Sequence, residues 1–259
     1  MFKRSGSLYG LILGFAAIFG AYLLEGGTFK ALFMLPAMII VFGGTFSATI
    51  IGVGFDKFKK IISLAKLAYY PPKYDIKQLI DGFVTVTIKS RQEGILAIES
   101  QLNKLVYPFP KKMMHFVMDG TDIDLLENIA LGEMKAMQNR HNQHIGMFSK
   151  MGGYAPTMGI IGTVMGLIMT LANAGKDPTT LIHSIATAFI ATLWGILSAN
   201  LIWLPIADKL KQCHLEEKHM MEVSLEGVMA IQSGEIPSIV RSRLMSLLPQ
   251  SEQGTIGSR

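Results

Sequence analysis

Four long stretches of this chain carry no charged residue, and nothing else in it restricts the fold so strongly. Ser5–Leu24 runs for 20 residues, Ala31–Phe55 for 25, Met151–Gly175 for 25 and Pro178–Ala207 for 30. A helix rises about 1.5 Å per residue, so about 20 apolar residues cross the hydrocarbon core of a bilayer. Each stretch is long enough. Four of them in one chain predict an all-α, polytopic membrane protein with four transmembrane helices. Only 17% of the residues are charged, below the quarter or so typical of soluble domains.

The placement of basic residues orients the spans. With both termini inside, 22 of the 24 Lys and Arg residues fall on the cytoplasmic side, and only Lys30 and Lys176 fall outside. The net charge of +5 therefore reads as topology. No basic stripe interleaved with aromatics points to nucleic acid. The first apolar run follows Lys3 and Arg4 but exceeds the length of a signal-peptide core, and is expected to be a retained helix. A single Cys213 excludes an intrachain disulfide and fits a reducing compartment. The expected location is a membrane, crossed several times, with both termini on the cytoplasmic side.

The chain divides into residues 1–55 (spans one and two), 56–150 (a helical cytoplasmic domain), 151–207 (spans three and four) and 208–259 (a C-terminal helix and tail). In the insert, helical spacing runs through Phe55–Tyr70 until Tyr70-Pro71-Pro72 stops it. A second stretch is expected over Asp75–Leu102. A third starts near Lys111, with a break at Asp119-Gly120-Thr121, and continues from Asp122 into span three. Asp208 to about Ile231 extends span four, and the end from Pro249 is expected to fray.

No span holds an Asp, Glu, Lys or Arg. Charges within a bilayer usually mark ion routes. If the protein helps to conduct ions, a partner must supply the titratable carboxylate. Spans three and four do carry small and hydroxyl residues at helical steps: Pro156, Gly159, Thr163, Gly166, Thr170, and Ser184, Ala188, Thr192, Gly195, Ala199. Such a stripe lies on one helix face. It serves close helix packing or the wall of a polar path, and the two are compatible. Pro156 and Pro205 each remove a helical hydrogen bond near the cytoplasmic mouth, as simple punctuation or as a hinge. Pro36 reads as a kink in span two. His141-x-x-His144 has metal-like spacing but no neighbouring acid, so no metal or other cofactor is expected. His183 reads as interfacial packing in preference to a proton relay. Gly159–Gly166 lacks the lysine and strand of a phosphate-binding loop. No nucleophile–base pair suggests an enzyme.

At this point the residues resemble a known family. The order of two spans, insert, two spans and tail is similar to the MotA/PomA stator subunits of the MotA/TolQ/ExbB superfamily. Lys89-Ser90-Arg91-Gln92-Glu93-Gly94-Ile95-Leu96-Ala97-Ile98-Glu99 resembles the insert motif. Ala155-Pro156-Thr157-Met158-Gly159-Ile160-Ile161-Gly162-Thr163-Val164-Met165-Gly166 resembles the third-span motif. Ala191-Thr192-Leu193-Trp194-Gly195-Ile196-Leu197-Ser198-Ala199-Asn200, followed by Pro205, resembles the fourth-span motif. The related TolQ and ExbB energisers typically have three spans, so the fourth favours the flagellar branch, with the energisers as the alternative and a passive scaffold as a third reading.

The resemblance implies a flagellar stator subunit, multi-pass in the bacterial inner membrane. Five copies would surround two copies of a MotB-like subunit that brings the membrane carboxylate. Flow of H+ or Na+ would turn the ring and push on the rotor switch protein FliG. Arg91 and Glu99 would be the rotor contacts, with Glu93 a weaker candidate. Thr163 and Thr192 would line the ion path, and Pro156 and Pro205 would couple it to motion. Arg91 and Glu99, eight residues apart, would be separated by about 12 Å on one continuous helix. Thr at position 163 is the residue that sodium-driven relatives tend to carry and Ala the proton-driven one; the ion stays open.

Overall fold

The computed structural model describes residues 6–173, 175 and 178–253. Lys3, Arg4, Lys176, Asp177 and the residues from Gly254 onward lie outside them. The described residues form helices and no strand. Four helices are long and apolar enough to cross a membrane, within Gly6–Leu24, Leu35–Val53, Ile123–Ala172 and Pro178–Gln232. The chain packs as two compact units. One is residues 1–72 and 141–213, the other residues 73–140 and 214–259.

In the first unit, α1 (Gly6–Leu24) is followed by a turn at Gly26, φ 84°. A short α2 (Phe29–Leu32) then ends at Phe33, whose φ −100° and ψ 70° are not helical. Span two therefore begins at α3 (Leu35–Met38), not at Ala31. Pro36 sits in the first turn of α3, where a missing N–H costs nothing. It starts this span and does not kink it. A π segment, Ile39–Gly43, leads into α4 (Gly44–Val53). Gly54, at φ 82°, ends the span, and the expected single helix over Phe55–Tyr70 divides into α5 (Phe55–Phe58) and α6 (Ile61–Tyr69).

The long α9 (Ile123–Ala172) carries the third span and α10 (Pro178–Ser198) the fourth. A second π segment, Ala199–Trp203, joins α10 to α11 (Leu204–Gln232). There the Leu204 N–H bonds the Ala199 carbonyl, five residues back. Pro205 follows at once and has no N–H to give to Leu201, so the widened turn takes up the defect. Buried hydroxyls in the spans satisfy themselves locally: Thr45 bonds the Val41 carbonyl at 2.6 Å and Thr49 the Thr45 carbonyl at 2.7 Å.

The second unit is built by capping signals that the chain spells out. Asp75 accepts from the Gln78 N–H at 2.9 Å and starts α7 (Ile76–Glu93). Pro108 takes the first turn of α8 (Pro108–Met118), and Asp122 Oδ1 accepts from the Asp124 N–H at the start of α9. Gly120, at φ 74°, makes the break expected at Asp119–Thr121. α11 ends at Gly234, φ 72°, before α12 (Pro237–Ser246) and α13 (Gln250–Gln253). The core gathers Phe83, Leu105, Leu126 and Val228, with Met113, Met114, Met134, Met137, Met220 and Met221 filling between them.

One expectation fails here. Asp75–Leu102 is not one helix: Gly94, at φ 90°, ends α7, and Ile95–Lys104 continues as a 3-10 helix. The chain reverses at Gly94, and the 3-10 segment returns along α7. A Cβ at Gly82 of α7 would stand 2.7 Å from the Lys104 carbonyl oxygen. Replacing Gly82 by Ala should therefore cost about 1–3 kcal/mol by overpacking against backbone that cannot rotate away. Thermal unfolding of the purified protein checks it; an unchanged midpoint would refute the close approach.

Candidate functional site

The small-residue stripe is a seam between α9 and α10. A Cβ on Gly159 would meet the Ala191 carbonyl oxygen at 2.9 Å and the Thr192 Cα at 3.1 Å. One on Gly166 would meet the Ala188 Cβ at 2.7 Å. From the other side, a Cβ on Gly195 would meet the Ala155 carbonyl oxygen at 2.7 Å and the Gly159 Cα at 3.1 Å. Without a hydrophobic drive between helices in lipid, such backbone approach supplies the contact energy. The packing reading of the stripe therefore holds along this seam.

The seam also brings two polar residues together. Thr163 and Thr192 hydrogen-bond hydroxyl to hydroxyl, and both are partly buried. The Thr163 hydroxyl also lies 3.1 Å from the Gly159 carbonyl and 3.1 Å from the Ala188 carbonyl. A hydroxyl has one proton to donate and two lone pairs to offer. With three acceptors around it, the Thr163 proton has alternatives, and an oxygen of the pair stays available to a water or a hard cation. No Asp, Glu, Lys or Arg lies in the described part of any span, so this site holds no titratable carboxylate of its own.

Pro156 and Pro205 lie close in level. The Pro156 Cα is 3.3 Å from the Cβ position of Gly195, and Leu204, beside Pro205, meets Gly152. Gly152 is the residue whose carbonyl Pro156 leaves without a helical donor. The two helix defects are thus about one turn, or about 6 Å, apart along α9.

Trp194, two residues from Thr192, has a role that its place in a motif does not reveal. It lies on the opposite side of α10, and its Nε1–H donates to the Leu32 carbonyl at 2.8 Å. Its ring packs against Phe19, Phe33 and Phe42. It satisfies a carbonyl that the backbone break at Phe33 leaves without a helical donor. A tryptophan within a span, away from the usual interfacial belts, was the available signal. Trp194→Phe should keep the ring and lose about 1–3 kcal/mol for an unsatisfied buried acceptor. A thermal midpoint equal to wild type would count against the bond.

In the second unit, Arg91 and Glu99 are both exposed but lie on different elements. The Arg91 guanidinium donates to the Gly234 carbonyl at 2.7 Å, at the C-terminal end of α11. A cation there complements the helix dipole. Glu99 makes no ion pair among the described residues; its neighbour Ile98 is buried and anchors it. Glu93 pairs with Lys89. Nearby, Arg243 holds Glu226 at 2.8 Å and Glu235 at 2.7 Å. Burial works to lower the pKa of Arg243, but the two carboxylates outweigh it and raise it. Among the described residues no group of three His, Cys, Asp or Glu side chains could hold a metal.

The sequence pattern of the MotA/TolQ/ExbB proton channel family matches residues 100–223, and that of the motility protein A N-terminal region matches residues 8–94. Motility protein A of Bacillus subtilis is 34% identical over 248 residues, 95% of this chain and 92% of that one. Chemotaxis protein PomA of Vibrio alginolyticus is 30% identical over 247 residues, 95% of this chain and 96% of that one. The flagellar MotAB stator complex from Bacillus subtilis contains a chain that superposes with a TM-score of 0.90 at 32% identity, covering 98% of this chain and 100% of that one. The C. jejuni MotAB structure superposes at 0.88 with 23% identity, which speaks to the fold alone. With a continuous match through all four spans and the insert, the chain belongs to the MotA/PomA group of flagellar stator ion-channel subunits, within the MotA/TolQ/ExbB proton channel family.

Proposed function

We propose that this chain works with a MotB-like subunit to pass H+ or Na+ through the seam of α9 and α10 and to turn that flow into torque on the rotor. The observation that carries the reading is the Thr163–Thr192 hydroxyl pair, set in spans without a charge. The pair offers oxygen to an ion but no carboxylate, so a partner helix must bring one. The adjoining defects at Pro156 and Pro205 give the spans a place to bend as the carboxylate changes charge. Both termini face the cytoplasm on the positive-inside argument, which puts Arg91 and Glu99 where the switch protein FliG can meet them. Exposed charge pairs are worth about 0–1 kcal/mol each, so such contacts form and break quickly. The assembly in this reading has five copies around two partner chains, in contact with membrane lipid. The TolQ/ExbB-type energiser reading has less support, since relatives named for motility and chemotaxis match over nearly the whole chain.

The test is deletion in the host and restoration with wild type, Arg91→Glu, Pro156→Ala or Thr192→Val, with membrane insertion and filament assembly monitored. Intact but paralysed filaments, restored by wild type and not by the inserted variants, are the expected result. Normal swimming after deletion, with no second stator present, would overturn the reading. Swimming speed that follows external sodium at constant proton-motive force would identify Na+, and indifference to sodium would identify H+.

A further inference from the structure

A groove of about 440 Å³ opens where the fourth apolar run gives way to charge. Its walls include Gly10 of α1, Tyr69 of α6, Leu201 of the π segment, and Pro205, Asp208 and Lys209 at the start of α11. None of the residues of α1 is buried. That helix meets the π segment where a Cβ on Gly14 would lie 2.9 Å from the Leu201 side chain. One turn earlier, nothing stands within 4 Å of a Cβ on Gly10. Gly10 itself lines the groove, and its absent side chain leaves room there.

The groove has two chemistries. Most of its wall is apolar, while a carboxylate and an ammonium, Asp208 and Lys209, stand side by side at its rim. Lys209 Nζ donates to Gln212 Oε1 at 2.7 Å, and Asp208 makes no ion pair among the described residues. α6 and the Tyr70 that follows it set this end near the level of the membrane surface: Ile62 is 80% and Tyr70 57% exposed, with exposed Lys66 between them, and an exposed lysine and tyrosine beside apolar surface suit the headgroup level. An apolar trough with a polar rim at that level takes an amphiphile. A rim of both signs complements a headgroup of both signs, an ammonium against Asp208 and a phosphate against Lys209.

We propose that this groove binds an ethanolamine phospholipid, one acyl chain along Gly10 and Leu201 and the headgroup between Asp208 and Lys209. Assigning it to the cytoplasmic leaflet rests on the orientation proposed above. Because Pro205 forms part of the wall, the lipid lies against one of the two helix defects, and its occupancy biases how that defect bends.

The test uses the purified stator complex exchanged into bilayers of equal parts phosphatidylethanolamine, phosphatidylglycerol and phosphatidylcholine, with retained lipid read by native mass spectrometry. Wild type should retain phosphatidylethanolamine over the other two. Gly10→Trp, which fills the space beside Gly10, should lower that retention about tenfold, roughly 1.4 kcal/mol; Gly10→Leu should act in the same direction and serves if the larger variant does not assemble. Asp208→Asn should keep the total lipid and lose the preference over phosphatidylcholine. Equal retention of all three lipids by wild type, a preference for phosphatidylglycerol, or wild-type retention in both Gly10 variants would overturn the proposal. Orientation is read separately, by labelling Lys211→Cys in a Cys213→Ser background with an impermeant maleimide on intact cells. Labelling from outside would refute the orientation and leave a lipid preference standing; loss of the preference with residue 211 protected would refute the lipid site alone.

Discussion

Gly195→Ala will paralyse the motor while the protein still inserts in the membrane. The added Cβ would lie 2.7 Å from the Ala155 carbonyl oxygen, 3.1 Å from the Gly159 Cα and 3.3 Å from the Pro156 Cα. All three are backbone atoms of one helix, so no rotamer change relieves the clash. α9 and α10 must separate, at a cost of about 1–3 kcal/mol, and three residues away the Thr163–Thr192 bond must lengthen or break. The hydroxyl pair sits where the two backbones meet, so parting the helices displaces it, and its bond weakens once the separation exceeds the ordinary hydrogen-bond range. Gly146→Ala is the matched control. Its Cβ would meet nothing within 4 Å, and it lies inside α9, where Ala is favoured over Gly by about 0.5–1 kcal/mol. That variant should swim as wild type and unfold no earlier. Swimming at wild-type speed by Gly195→Ala, at normal abundance in the membrane, would mean that the seam does not need this closeness.

The spans were legible because the membrane imposes a length and forbids charge, and both show in a string of letters. The long α9 and the extension of span four as α11 followed from uninterrupted helical spacing, and the break at Gly120 from its turn residues. Two features escaped for a common reason: a local backbone choice decided them. Gly94 could have been one weak residue inside a helix, and only its φ of 90° shows that the chain reverses there. Pro36 removes the same hydrogen bond whether it kinks a helix or starts one, and the non-helical Phe33 before it decides. The hydrogen bond of Trp194 escaped for the opposite reason: it joins residues 162 apart in sequence, and no pattern of spacing announces it. In the candidate path, the residue types were readable and their meeting was not. Glycines at helical steps suggested a shared face, but that Thr163 reaches Thr192 across the seam depends on how closely two helices approach.

The reversal at Gly94 separates Arg91 from Glu99 and gives them different expected phenotypes. Arg91 donates to the Gly234 carbonyl and so closes the C-terminal end of α11, whereas Glu99 is exposed with no ion pair among the described residues. Glu99→Lys should therefore abolish or sharply reduce swimming with stability within about 0.5 kcal/mol of wild type, as for a surface substitution. Arg91→Glu should also fail to swim, but it places a negative charge against the negative end of a helix dipole and removes a bond. The combined loss is about 1 kcal/mol for so exposed a contact. Amide hydrogen exchange separates the two effects. Ser233, Gly234 and Glu235 donate to the Met229, Ile231 and Ala230 carbonyls at the end of α11, and these amides should exchange several-fold faster in Arg91→Glu and at the wild-type rate in Glu99→Lys. Arg91→Lys keeps the charge and one donor, so it should swim with only slightly faster exchange. Were Arg91→Glu to leave exchange at these three amides unchanged while stopping the motor, the arginine would act on the rotor alone and its bond to Gly234 would be incidental. Were exchange to rise while swimming persisted, capping would be its whole role and the rotor contact would pass to Glu99.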